Sequence, residues 1–402
     1  MEALPSVSLH EVSYPATLKN VASLILRAGQ QQEPNPFNFR LNEFTGAIHR
    51  NGKECEEWDW IDAAIQLDIN FAWSGAAPGK LRTRDAILWA SSIRKFHPVR
   101  EFLSAARKNW DGKPRVSSFL TRYCGVDYDK PTLREAQSSA LLVGAVARIM
   151  KPGCKHDLVP VFISPQGWGK STLVRLLATR GEWYSDTVPD LRTKDSLQGL
   201  IGCWIYEIAE MRSILAASQE QVKAFITSQV DRFRKPYGTD MMRHPRQVTF
   251  WGTSNDLELR DHTGGRRFWP LQLIRRPDLA AIERDMFQIW GEAVALYESG
   301  APWWLQADTD QDRQNIEELQ GEQAEYQTED PWVDVIRRFW LECERGSKVD
   351  FQIVDVLTWA GIPTAQQTQR QVLRVSRLLK SAGFENTRYR KDGKRMRKWV
   401  KK

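Results

Sequence analysis

The stretch Leu158-Val159-Pro160-Val161-Phe162-Ile163-Ser164-Pro165-Gln166-Gly167-Trp168-Gly169-Lys170-Ser171-Thr172-Leu173-Val174-Arg175-Leu176-Leu177-Ala178 decides the fold. A short apolar run suits a buried strand. A glycine-containing loop follows, and then a helical pattern. The phosphate-binding pattern G-x-x-x-x-G-K-[ST] is met by Gly169-Lys170-Ser171, while Ser164 stands where the first glycine is expected. Such a loop works by aiming successive backbone N–H groups at phosphate oxygens beside a helix N-terminus. Glycines without a Cβ let the backbone come close. Gln166, Gly167, Trp168, Gly169, Lys170, Ser171 and Thr172 are therefore the candidate nucleotide contacts, with ATP and Mg²⁺ as the expected cofactors. Lys170 is expected on the β- and γ-phosphates and Ser171 on the metal.

Working outward, the apolar runs Cys203–Ile208 and Gln247–Gly252 read as further strands, separated by a helical pattern over Ser218–Ser228. Strand alternating with helix predicts an α/β sheet with covered faces over residues 140–305. Residues 1–36 read as a flexible lead-in and 37–139 as a mostly helical N-terminal domain. Residues 306–330, polar and acidic, read as a solvated helix plus linker. Residues 331–402 show three helical stretches, then two basic strands about a turn at Lys391–Lys394, a winged-helix outline.

Composition narrows the class. With 402 residues, 42% hydrophobic and 27% charged, the chain reads as a soluble globular protein of two to three domains. No apolar run is long enough to cross a bilayer, so no membrane role is expected. The N-terminus lacks the pattern of a secretion signal, so a cytoplasmic protein is the default. The cysteines at 55, 124, 154, 203 and 343 are too far apart in sequence to form a zinc or redox pair. Most of the 17 tryptophans are expected in the core. The net charge of +7 is a weak hint of a polyanion partner. Its placement says more: thirteen Lys or Arg against two acids lie between Arg370 and Lys402.

A phosphate loop needs a carboxylate at the end of a neighbouring strand. Glu207 and Glu210 are the candidates for both metal binding and catalysis. Glu210 matches a strand-end acid more closely, because Glu207 sits inside the apolar run, where a carboxylate is costly unless paired. After the strand through Gly252, Asn255 could position a water. Arg266 and Arg267 follow a glycine pair and suit a reach across a subunit boundary to a γ-phosphate. Between these motifs, Lys223, Arg232, Arg234, Lys235, Tyr237, Arg243 and His244 combine charge with an aromatic ring, as a single DNA strand requires. Arg388, Arg390, Lys394, Arg395 and Arg397 place a second basic surface on the C-terminal hairpin.

The ordered set resembles the virulence-associated protein E family, relatives of superfamily 3 helicases within the AAA+ class. The resemblance rests on Trp204–Glu210, Arg234-Lys235-Pro236-Tyr237-Gly238 and Thr263-Gly264-Gly265-Arg266-Arg267-Phe268-Trp269-Pro270. Phe96-His97-Pro98-Val99-Arg100 and Trp110-Asp111-Gly112-Lys113-Pro114-Arg115 match upstream. It implies an AAA+ P-loop core in a ring-forming ATPase, a hexamer, that moves single-stranded DNA through a central channel for a phage or mobile element in the bacterial cytoplasm. By position it implies Lys170 and Ser171 as Walker A, Glu207 and Glu210 as the Walker B region, and Asn255 as sensor 1. Arg266 and Arg267 become the finger or sensor pair, and Lys235, Arg243 and His244 lie on a pore hairpin. Larger relatives carry a primase-polymerase module. With about 140 residues ahead of the ATPase and no polymerase-type carboxylate set, priming is expected from a separately encoded partner. The alternative to a helicase is an initiator or loader that hydrolyses ATP without processive unwinding.

Overall fold

A computed structural model describes residues 13–30, 35–187, 195–209, 219–234, 241–256, 267–326, 331–346, 350–391 and 394–401. They fall into two compact units, one reaching Glu325 and the other beginning at Tyr326. The fold is mixed α/β with a parallel sheet and many helices.

The strands run in chain order as β1 Phe39–Asn42, β2 Ile48–Arg50, β3 Lys53–Glu54, β4 Lys95–Phe96, β5 Val159–Ile163, β6 Tyr184–Ser185, β7 Ile205–Ile208, β8 Val230–Arg234, β9 Met241–Pro245, β10 Thr249–Ser254, β11 Phe268–Gln272, β12 Asp350–Phe351, β13 Phe384–Lys391 and β14 Lys394–Lys401. The sheet that organises the first unit has the order β11-β5-β10-β7-β6 with every pairing parallel. Strands β5, β7 and β10 are buried at every position, which is why they read as near-continuous apolar runs. The helices Lys170–Leu177, Pro131–Met150 and Leu279–Glu298 contribute to its core. Trp204 and Trp290 meet there at 4.4 Å, and each indole N–H is spent on a carbonyl, of Ala145 and Leu177 respectively. These two tryptophans are thus core material with their one donor satisfied.

Three expectations need correction. The lead-in contains the helix Leu18–Ala28, which buries Val21, Leu24 and Ile25 against Phe37, Phe39, Ala86 and Ile87. The region expected to be mostly helical also carries a four-stranded sheet, β3-β2-β1-β4. Its strands are so short that period-two alternation has no room to show. Residues 310–325 are a packed helix and not a solvated linker: Asn315, Leu319, Glu322 and Gln323 are buried. Glu322 takes a bidentate pair from buried Arg134 (2.6 and 3.0 Å), and Gln323 donates to the carbonyl of Phe268 at 2.8 Å. One of the acids that suggested solvation, Glu322, is half of a buried ion pair.

Two of the upstream motifs behind the resemblance have structural contacts. His97 caps the helix Pro98–Lys108 by accepting from Arg100 N at Nδ1, and its Nε2 lies 2.7 Å from Gln247 Oε1. In the turn after that helix, Asp111 and Arg115 form two bonds of 2.7 Å. Glu292 accepts from the N–H groups of Arg115 and Val116.

The second unit packs helices Pro331–Arg345, Ile353–Trp359 and Gln369–Ser381 with the antiparallel sheet β12-β14-β13. Phe339, Phe351, Val356, Leu379 and Trp399 lie in its core. Among the described residues no helix is long and apolar enough to cross a membrane.

Candidate active site

The parallel sheet brings the carboxyl ends of β5, β10 and β7 side by side. The loop after β5 turns into the helix Lys170–Leu177 through Gly167 and Gly169, at φ of 81° and 88°. Those left-handed values are what glycine tolerates. Ser164 is not among the residues with positive φ, so its place needs no glycine. Its substitution has a use: the Lys170 ammonium donates to Ser164 O at 2.8 Å and lies 3.3 Å from Ser164 Oγ.

Lys170 also donates to Pro165 O at 3.1 Å and to Asn255 Oδ1 at 3.0 Å. The residue is buried, and among the described residues it has no ion pair. Burial pushes its pKa below the usual lysine value, opposed by the charge of Glu207. A desolvated ammonium touched only by neutral oxygens lacks the counter-charge that burial normally demands.

Glu207 lies beside it, 1% exposed. Its Oε1 accepts from Ser171 Oγ and Thr253 Oγ1, both at 2.6 Å, and its Oε2 accepts from the Tyr184 hydroxyl. Burial first, and then the bond to Glu207, raises the Tyr184 pKa well above the usual phenol range. The sheet order explains the meeting. Trp251 pairs with Glu207 in register, so Thr253 projects from the adjoining strand, while Tyr184 comes from β6 on the other side. Thr253 had a sequence signal, a hydroxyl directly after the apolar run Phe250-Trp251-Gly252 that must find a partner when buried. Tyr184 had none, because only the β6–β7 pairing brings it there.

The remaining expected residues divide. Gln166 and Thr172 are exposed along the loop and first helical turn, and Trp168 is half-buried against the main core. Glu210, Arg266, Lys235 and Tyr237 lie outside the described residues. Among the described residues the acid that meets Ser171 is Glu207, whose buried place had made it the less close match to a strand-end acid. Arg267 is not at this site in its own chain. It precedes β11 at the opposite end of the sheet, where Phe268 pairs with Val159, roughly 13 Å of strand away from Ile163. There its Nε lies 3.4 Å from Asp157 Oδ2.

The basic segment forms the hairpin β8–β9, which carries Arg232, Arg234, Arg243 and His244. Arg232 and Arg243 are register partners, and both are exposed. Lys223 lies on the preceding helix Gln219–Thr227 and is half-buried. On the second unit's hairpin, Arg388 and Arg397 are likewise exposed register partners, and Arg390 pairs with Arg395. Like charges placed directly across a ribbon are unfavourable unless an anion lies over them.

The chain matches the profile of the virulence-associated protein E-like domain over residues 103–325, more than half its length. It belongs to the virulence-associated protein E-like family. The matched segment ends where the first compact unit ends, at Glu325, so the family's domain includes the packed helix Asp310–Glu325. It contains Lys170, Ser171, Glu207 and Asn255 and leaves out both the N-terminal sheet and the second unit. No curated protein matches the chain. Among solved structures it is similar to the A form apo structure of the NrS-1 C-terminal region, with TM-score 0.43 and 12% identity over 95% of this chain and 98% of that one. A second apo structure of that region, residues 305–718, gives 0.43 and 13% over the same shares. At this level the likenesses carry none of the functional argument, which rests on the family and the site.

Proposed function

We propose that this chain is an ATP- and Mg²⁺-dependent DNA helicase with an AAA+ P-loop core, working as a homo-oligomeric ring, a hexamer. One observation carries the reading: a buried lysine with no ion-pair partner among the described residues sits on a loop of left-handed glycines at a helix start. That is a site prepared for a polyanion, and β- and γ-phosphates fit it. The Ser171 hydroxyl and Glu207 carboxylate, 2.6 Å apart, are the hard oxygen donors that suit Mg²⁺. Bound Mg²⁺·ATP would supply a phosphoryl group whose transfer needs positioning and charge neutralisation.

The chain's own residues would then act as follows. Lys170 exchanges the carbonyls of Ser164 and Pro165 for phosphate oxygens. Glu207, released from Ser171, orients and deprotonates the attacking water. Asn255, already on Lys170, holds the strand end in register with the nucleotide. Arg267 is engaged by Asp157, so Arg266 is the better candidate for the finger offered to a neighbouring subunit. Glu210 remains a second metal-side acid in this reading.

The two arginine-opposed hairpins support DNA as the substrate, the first for a single strand in the ring and the second, in a winged-helix unit, for duplex DNA. A separately encoded primase would complete the replication role in the bacterial cytoplasm. Lys170→Ala should abolish hydrolysis and strand separation on a forked substrate; normal turnover sinks the assignment. DNA-stimulated hydrolysis by the unaltered protein without any strand separation would replace the helicase with an initiator or loader.

A further inference from the structure

At the opposite, amino end of the sheet a cavity of about 590 Å³ opens, lined by Lys151–Leu158, Gln229, Trp303 and Trp304. Its volume is in the range of small-ligand sites. Trp303 is fixed by donating from Nε1 to Lys155 O at 2.9 Å. Trp304 lies perpendicular to it at 5.2 Å and is 51% exposed. Lys151 and Lys155 are exposed and form no ion pair among the described residues. The carboxylate in the wall, Asp157, is neutralised by Arg267 at 3.4 Å. His156 adds no charge: burial, helped by Arg148, lowers its pKa to about 3. The cavity therefore offers two uncompensated ammonium groups and one open aromatic face.

The cavity also adjoins the basic hairpin. Gln229 precedes β8 and accepts from Arg246 N at 2.9 Å, and Gly153 N donates to Arg246 O at 2.8 Å. A strand lying over Arg232 and Arg243 would have its continuation at the hairpin root, within reach of the cavity.

We propose that this cavity is a second docking point for single-stranded nucleic acid, with one base on Trp304 and the flanking phosphates on Lys151 and Lys155. The proposal rests on the DNA reading of the hairpin and extends it to a surface outside the hairpin itself. Rings and lysines in this combination bind a strand without reading its sequence.

The test measures binding of labelled oligo(dT) by the full chain across a salt series. Trp304→Ala should weaken binding about tenfold, the scale of one lost base stack, with no change in salt slope. Trp304→Phe, which keeps a ring, should restore most of it. Lys151→Ala/Lys155→Ala should lower the slope of log K against log salt by about 1.4, two phosphate contacts' worth. The control is Arg232→Ala/Arg243→Ala. If the control weakens binding and the cavity variants do not, the cavity proposal falls alone. If neither set changes binding, the hairpin reading falls with it. Each variant's thermal unfolding shows that it is folded.

Discussion

Two buried cations at opposite ends of one sheet behave oppositely. Lys170, at the carboxyl ends, is held by carbonyls and amide and hydroxyl oxygens with no carboxylate in an ion pair among the described residues. Arg246, at the amino end of β10, is matched completely. Asp231 takes it in two bonds of 2.8 Å, Phe225 O accepts a third, and its guanidinium lies 5.1 Å from the Phe225 ring. The first arrangement is poor for stability, since a desolvated charge lacks its counter-charge; the second is complete in itself. The difference is what sets the proposed ligand site apart from a structural ion pair. A site keeps its charge unsatisfied, whereas a structural pair is saturated.

The comparison can be broken in four ways. The largest effect should come from Lys170→Ala, which removes the unsatisfied charge: hydrolysis should fall at least on the order of 10²–10³-fold, read by phosphate release, with folding intact. Asp231→Ala should act the other way, costing about 3–5 kcal/mol of unfolding free energy in urea because Arg246 is left buried alone. Replacing both partners, Asp231→Leu with Arg246→Met, should recover most of that loss; a double variant as unstable as the single would mean the pair does more than balance charge.

Third is the pH dependence. Buried His156 keeps a pKa of about 3, and burial also lowers that of His97. The unfolded chain takes those protons from about pH 6.5 downward, while the folded chain refuses them. For His156, stability is therefore complete above pH 6.5 and falls on acidification toward pH 3 by about 1.4 kcal/mol per unit, and His97 acts in the same direction. His156→Gln should flatten that limb in urea titrations; an unchanged limb would remove His156 from the account. The smallest effect is expected at the exposed hairpin. Arg243→Ala should lower the salt slope of single-strand binding by only about 0.7. An unchanged slope would separate the hairpin from the DNA.

Much of this was legible in the chain. The all-buried strands β5, β7 and β10 announced themselves as apolar runs, and Gly169-Lys170-Ser171 announced the loop. Ile353–Trp359 is one of the three helices expected within residues 331–402. What was not legible follows from pairing across the fold. Glu207 ranked behind Glu210 as a candidate because nothing local revealed Ser171, Thr253 and Tyr184 converging on it. Residues 310–325 looked solvated because Arg134, their partner, lies far off in sequence. The paired arginines 266 and 267 looked equivalent until Asp157 engaged one of them.

By itself the sequence determined the class of sheet, the loop, and the residue types of the site, because burial and glycine geometry leave local marks. Only the tertiary structure decided that Glu207 meets Ser171, that Arg267 lies beside Asp157, and that tryptophans 303 and 304 border a cavity beside the basic hairpin. Those facts depend on strand order, and strand order is set by contacts between residues that are distant along the chain.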